Sequence, residues 1–325
     1  MKSMGKISVA GSYTKIDYRV RPAKYAERMM MIDAFRKLRF SNIESYQYIG
    51  LGSVYFSDFS LVHRALGIGK LISIEKNEED RARFEENIPY SAIEMLWGKT
   101  SSQLPKVRLD LRSIVWMHYD GRLDRSVLAD VAHIAGQAAG GSVLAVTVQC
   151  RFDRVTHDDG SDASLDALIG SLGAERVPHD LATKDLLGKG TGALFRRILL
   201  SEIDDALAAR NAVLPAGQAV KYRQIFNFRY EDGVQMMTIG VVFYDAGQGV
   251  LLELCGFDEL PFIRRDEEVF DIRIPKLTPI EVKRLERQLP LEGARTLERG
   301  PIPERDATQY ARLYRYFPNI AFVDS

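Results

Sequence analysis

Five short apolar runs, each separated from the next by a stretch with helical spacing, constrain this chain more than any other feature. Tyr46-Gln47-Tyr48-Ile49 stops at Gly50-Leu51-Gly52, Leu71-Ile72-Ser73-Ile74 at Glu75, and Ile93 to Trp97 at Gly98. Ile114 to Met117 runs into His118-Tyr119-Asp120-Gly121, and Val143 to Val148 follows Gly140-Gly141. Runs of this length read as strands, because a buried helix needs roughly 10–12 residues to present a face. Between them, Ser57-Asp58 is placed to cap a helix carrying Phe59, Val62 and Leu66. A polar helix over about 77–87 surrounds Phe84, and Leu123, Val127, Val131 and Ile134 mark another that Gly140-Gly141 terminates. Strands joined by helices favour a parallel sheet covered on both faces.

The flanking segments fit around that core. Pro22 suits the first turn of a helix over 23–38, whose apolar set is Tyr25, Met29, Ile32, Phe35 and Leu38. Tyr222 to Arg229 and Met236 to Tyr244 flank Tyr230-Glu231-Asp232-Gly233, the pattern of an antiparallel hairpin closing one edge of the sheet. Residues 151–220 form an insertion with helices at about 162–171 and 192–210; the GKGTG between them lacks phosphate-loop spacing and reads as a connection. Leu251 to Cys255 reads as a strand, and helices follow at 280–288 and 303–315. The expected organisation is a basic arm and first helix over 1–40, an α/β core over 41–245 containing the insertion, and an accessory region over 246–325.

Charge and cysteine usage exclude several function classes. Lys plus Arg and Asp plus Glu each total 44, so no global field draws the chain to nucleic acid or membrane. Residues 1–40 nevertheless carry ten basic against three acidic residues. That stretch is either a solvated arm and helix or a contact for nucleic acid, an anionic substrate or an acidic partner. Two cysteines, Cys150 and Cys255, support neither a disulfide framework nor a multi-cysteine metal site, and suggest a reducing, cytoplasmic setting. No apolar run has the length of a signal peptide core or a membrane span. Oligomeric state is not legible.

In a doubly wound sheet, ligands collect beyond the carboxyl ends of the strands. Gly50 and Gly52 permit close backbone approach at the first such end, with Ser53 beside them. Glu75, 23 residues beyond Gly52, is positioned to accept hydrogen bonds from ribose hydroxyls. No third glycine completes GxGxxG, which argues against a nicotinamide-dependent oxidoreductase. This ordered set resembles the class I S-adenosylmethionine-dependent methyltransferases, in a divergent O-methyltransferase-like branch, and the resemblance implies a Rossmann-like fold. It implies that Gly50, Gly52 and Ser53 approach the methionine part of S-adenosyl-L-methionine and that Glu75 holds the ribose. Trp97 and Gly98 would border adenine, and His118, Tyr119 and Asp120 would face the site of transfer to an unidentified hydroxyl or amine acceptor.

Each assignment has a bland counterpart. Asp120 would orient the acceptor and His118 take its proton, with Tyr119 packing on the ligand or donating a hydrogen bond. Alternatively, Tyr119 is a core residue, Asp120-Gly121 a turn and Trp97 ordinary strand packing. Asp120, Asp158 and Asp159 lack the spacing of a metal site and read as solvated turn carboxylates, so no metal is expected. No GxSxG elbow supports a serine hydrolase. The rival to an enzyme is a non-catalytic partner-binding protein that retains the scaffold.

Overall fold

The computed structural model describes residues 21–215, 217–293 and 295–318. Its centre is one eight-stranded sheet of order β3-β2-β1-β4-β5-β7-β6-β8. The strands are β1 (Gln47–Leu51), β2 (Lys70–Glu75), β3 (Ile93–Trp97), β4 (Ser113–Arg122), β5 (Val143–Gln149), β6 (Val220–Glu231), β7 (Gln235–Asp245) and β8 (Phe270–Ile272). β1 to β5 pair in parallel, β7 lies antiparallel between β5 and β6, and β8 joins the far edge parallel to β6. The chain order reverses between β1 and β4, which makes their carboxyl ends a switch point. This is the expected Rossmann-like class, with the hairpin inside the sheet and β8 forming the edge beyond it.

Two apolar cores, one on each face, follow from strands whose residues alternate direction. Tyr48 and Trp116 point into one core with α1 (Pro22–Arg36) and α2 (Ser57–Leu66). Ile49, Met117 and Val148 point into the other with α5 (Arg125–Gln137) and the long α7 (Gly190–Asn211). Asp124 caps α5 by accepting from the backbone N–H groups of Ser126 and Val127. The remaining helices are α3 (Arg81–Glu86), α4 (Thr100–Gln103), α6 (Ser164–Leu172), α8 (Gly249–Leu254), α9 (Pro279–Glu286) and α10 (Glu304–Leu313). No helix among the described residues is long and apolar enough to cross a membrane. Both cysteines are buried and free.

Several local expectations are corrected. Residues 251–255 are helical, not extended: Leu252 and Cys255, three apart, are buried while Leu254 is exposed, which is a helical rather than an alternating pattern. The second half of GKGTG opens α7, where the Thr191 hydroxyl donates to the Leu186 carbonyl. α1 buries Ile32 and Phe35 as expected but leaves Tyr25 exposed, and it buries the charged residues Lys24, Glu27 and Arg28 instead. The solvated reading of the basic segment therefore fails at Lys24 and Arg28; its first twenty residues lie outside the described residues.

Candidate functional site

Register places most of the expected site residues on one face of the sheet. Gly50 pairs with Ser73 and Trp116, and Glu75 pairs with Trp97. Side chains two residues apart share a face. Gly50, Ser73, Glu75, Trp97, Trp116 and His118 thus look toward α1, with Gly52 one step past β1 at the same edge.

Gly50 lies within β1, buried between two neighbouring strands rather than in the turn beyond it. A Cβ there would meet the Tyr48 hydroxyl at 3.0 Å. Gly52 is the glycine at the switch point: its Cβ would stand 2.9 Å from both the Cβ and Oε2 of Glu75 and 3.2 Å from Ser73 Oγ. The absence of a side chain at Gly52 is what lets the Glu75 carboxylate occupy that corner. Glu75 Oε1 accepts from the Asn77 N–H at 2.7 Å. Burial raises the Glu75 pKa, opposed by the backbone N–H groups of Asn77 and Lys76. Ser73 Oγ is buried with no hydrogen-bond partner among the described residues. A polar group lying over Gly52 would find a carboxylate and a hydroxyl at hand, so these residues fit a ribose.

The loop from Ser53 to α2 turns sharply. Ser53 Oγ accepts from the Tyr55 N–H at 3.3 Å, and Phe56 sits at φ 44° in the left-handed region. That conformation costs a bulky residue about 1–3 kcal/mol. Edge contacts with Phe59 and Phe84, at 5.8 and 6.4 Å between ring centroids, hold it there. Beyond β3, Gly98 takes φ 130° while its N–H donates to the Glu75 carbonyl at 2.9 Å. The half-buried Trp97 ring is engaged by the edge of Phe84 at 5.8 Å and by the Arg81 guanidinium at 5.2 Å.

β4 outruns its neighbours, and its pairing with β5 breaks between His118 and Arg122. Such a bulge re-aims side chains at a sheet end. Tyr119 faces the opposite core, where its hydroxyl donates to Asp130 of α5 at 2.8 Å. The core reading of Tyr119 is the one the structure supports, and a place beside His118 is not available to it. Asp120 is exposed, its carbonyl accepting from Gln149 Nε2, and its charge reaches Lys24 and Glu75. Asp158 and Asp159 lie away in an exposed turn, where Ser161 donates to Asp159.

His118 keeps the expected position and gains partners from elements far away in sequence. Its Nε2 stands 3.3 Å from the Tyr230 hydroxyl at the end of β6. Burial, reinforced by the charges of Lys24 and Arg28, holds its pKa well below the usual histidine value, so the ring is neutral at physiological pH. Around it lies a polar group that periodicity alone does not reveal. Arg28 is ion-paired to Asp58 of α2, and the Lys24 backbone N–H donates to Asp232 at 2.9 Å. Burial lowers the Lys24 pKa to about 8 and raises that of Glu27 to about 7. A groove of about 610 Å³ opens beside Tyr230, lined by Pro22, Asp232, Asp271, Arg273 and Arg305 among others. β6 and β8 run parallel to β5, so this groove and the Glu75 corner open at the same end of the sheet.

Several solved structures match this chain at low identity. Trm1 from Pyrococcus horikoshii, solved with S-adenosyl-L-methionine, is 13% identical over 70% of this chain and 57% of its own, with a TM-score of 0.45. The O-methyltransferase TomG from Streptomyces achromogenes is 14% identical over 70% of this chain and 91% of its own, with a TM-score of 0.34. A chain of a Haloferax volcanii complex containing the Trm112 methyltransferase activator is 16% identical, with a TM-score of 0.30; the match spans 39% of this chain and 57% of that one. Comparison with curated proteins gave no match. The family model described as "Putative O-methyltransferase" matches residues 16–325, and the chain belongs to that family.

Proposed function

We propose that this protein transfers a methyl group from S-adenosylmethionine to a hydroxyl acceptor at the carboxyl ends of β1 to β4. The observation that carries the reading is the Glu75 carboxylate held against Gly52, with neutral His118 on the same face of the sheet. Glu75 and Ser73 would hold the ribose hydroxyls, and the backbone at Gly52 and Ser53 would lie along the methionine part. When bound, the cofactor supplies an electrophilic methyl carbon whose old bonding pair remains on sulfur.

The protein's own work is then positioning and proton removal. A reacting pair held in near-attack geometry gains several kcal/mol over free encounter. The acceptor enters by the groove beside Tyr230, and Asp120 orients its hydroxyl. Neutral His118 has a ring lone pair ready to take the hydroxyl proton as the new bond forms. An imidazole already protonated could not do so, which gives the burial and the cations around His118 a catalytic use.

Isothermal titration calorimetry with S-adenosylmethionine and with its demethylated product tests the reading. Both should bind the wild-type chain, and Glu75→Ala should weaken both by roughly tenfold to a hundredfold, the worth of one or two charge-assisted hydrogen bonds. Absence of binding to wild type by either compound rejects the proposal and favours a scaffold used for partner binding.

A further inference from the structure

At about 610 Å³ the groove beside Tyr230 has the size of a small-molecule site. One wall is the end of β6 with the turn after it; the other is the segment leaving β8 together with α10. Most charges along it are already committed. Asp271 Oδ1 accepts from Arg229 Nε at 2.6 Å, and Lys189 Nζ stands 3.5 Å from Asp271 Oδ2. Asp232 accepts from the Lys24 backbone N–H at 2.9 Å. Further in, Glu27 is fully buried with Oε1 accepting from the Thr238 hydroxyl, and Arg28 is paired to Asp58.

Arg273, Lys276 and Arg305 are left over. All three are exposed, line the groove and form no ion pair among the described residues. Arg305 lies one turn before Gln309 on the same face of α10, and the Gln309 amide donates to the Asp271 carbonyl at 3.5 Å. That contact lays the Arg305 face of the helix against the end of β8, two residues before Arg273. Cations from two elements are thus brought to one wall, where they repel until an anion comes between them. The carboxylates without an ion-pair partner are Glu231 and Asp306. Glu231 belongs to the opposite wall, and Asp306 lies about 100° round the helix from Arg305.

We propose that Arg273 and Arg305 form an anion subsite for the acceptor, which carries a carboxylate or a phosphate besides the hydroxyl that receives the methyl group. The assignment rests on the methyl-transfer reading above and gives it a substrate class. Guanidinium groups suit either anion, because their forked N–H groups match its oxygens in pairs. Lys276 adds a third positive charge to the same wall. The subsite opens at the end of the sheet where His118 stands, so a molecule held by its anion in the groove points its other end toward His118. A negative charge on the acceptor also suits the proton transfer. His118 becomes a cation on taking the proton, in the field of Lys24, Arg28 and Arg21, and an anion bound nearby offsets that cost.

The test is NMR of the arginine Nε–H signals in the full chain, without cofactor and at constant ionic strength. Phenyl phosphate, benzoate, benzamide and benzylammonium are the probes, which keep one ring and vary only the charge of the group on it. Phenyl phosphate or benzoate should give saturable shifts in the Arg273 and Arg305 signals, which are identified by their loss in Arg273→Gln and Arg305→Gln. Each substitution should weaken binding of that anion by roughly tenfold to a hundredfold. Both side chains are exposed, and the unchanged remaining arginine signals show that the variants are folded. The tighter of the two anions decides between phosphate and carboxylate. Absence of a saturable shift with either anion, an equal response to benzamide or benzylammonium, or anion affinity that survives both substitutions would overturn the proposal. The probes are read without cofactor, so their failure is distinct from failure of the calorimetric test.

Discussion

Replacing Gly52 by alanine isolates the contact on which the cofactor corner depends. The new methyl group would stand 2.9 Å from Glu75 Cβ, about half an ångström inside the 3.4 Å at which ordinary contact begins. A carboxylate can swing, but a Cβ is fixed to its strand, and Glu75 Oε1 is already tied to the Asn77 N–H. Relief therefore requires β1 and β2 to separate slightly or the Glu75 side chain to tilt out of its corner. Overpacking of this kind costs about 1–3 kcal/mol of stability. The displaced carboxylate should also lose roughly tenfold to a hundredfold in cofactor affinity. Gly50→Ala is the control: its methyl group meets the Tyr48 ring within the same strand, so it should lower stability to a similar degree with little direct effect on affinity. Thermal denaturation and calorimetry on both variants separate the two losses. The reasoning fails if Gly52→Ala binds as well as wild type, or if Gly50→Ala loses as much affinity as Gly52→Ala.

Further outcomes follow from the same geometry. Tyr119→Phe removes the hydrogen bond to Asp130 on the face away from His118, so it should cost about 1 kcal/mol in denaturant titrations and leave cofactor affinity unchanged. Asp58→Ala takes the Asp58 carboxylate from the buried Arg28 and should destabilise the fold by about 1–3 kcal/mol by chemical denaturation. Glu27 has a folded pKa of about 7 against an ordinary 4.5, so between those values the native state binds the extra proton. Its contribution to stability is therefore greatest below the ordinary value and falls as pH rises through about 7, and Glu27→Gln should flatten that slope in denaturant titrations across the interval.

The fold was legible because strand length and the acids and glycines at strand ends are local signals. The runs ending at Glu75 and Gly98 became β2 and β3 almost to the residue. Gly50 was misplaced by a step because a glycine inside a buried strand looks like one in a turn; only pairing with Ser73 and Trp116 distinguishes them. Leu251 to Cys255 misled because four apolar residues in five carry too little periodicity to separate helix from strand. At the site, Glu75 and His118 could be found from their position at strand ends. Glu27, Lys24 and Arg28 could not, because charged residues on a helix read as solvent-facing until tertiary packing shows what covers them. Tyr230 and Thr238 lie over a hundred residues away, and no spacing rule joins them to His118. The nearest available signal was the strand alternation of the hairpin, which puts both on one face of the sheet.

The outer edge of β6 has a consequence for any attempt to divide the molecule. β8 covers only Phe228 to Tyr230 by strand pairing. Along the rest, Gln224 donates its side-chain amide to the carbonyls of Arg264 and Asp266, and Asn227 donates to those of Glu267 and Glu268. Two amide side chains thus do for a non-extended segment what a ladder does for a strand. Without residues 264–272, a twelve-residue strand carrying Phe226 and Phe228 would offer its open edge to another copy of itself. A shortened protein ending after the hairpin would accordingly form fibrous or amorphous aggregates at concentrations where the intact chain stays dispersed.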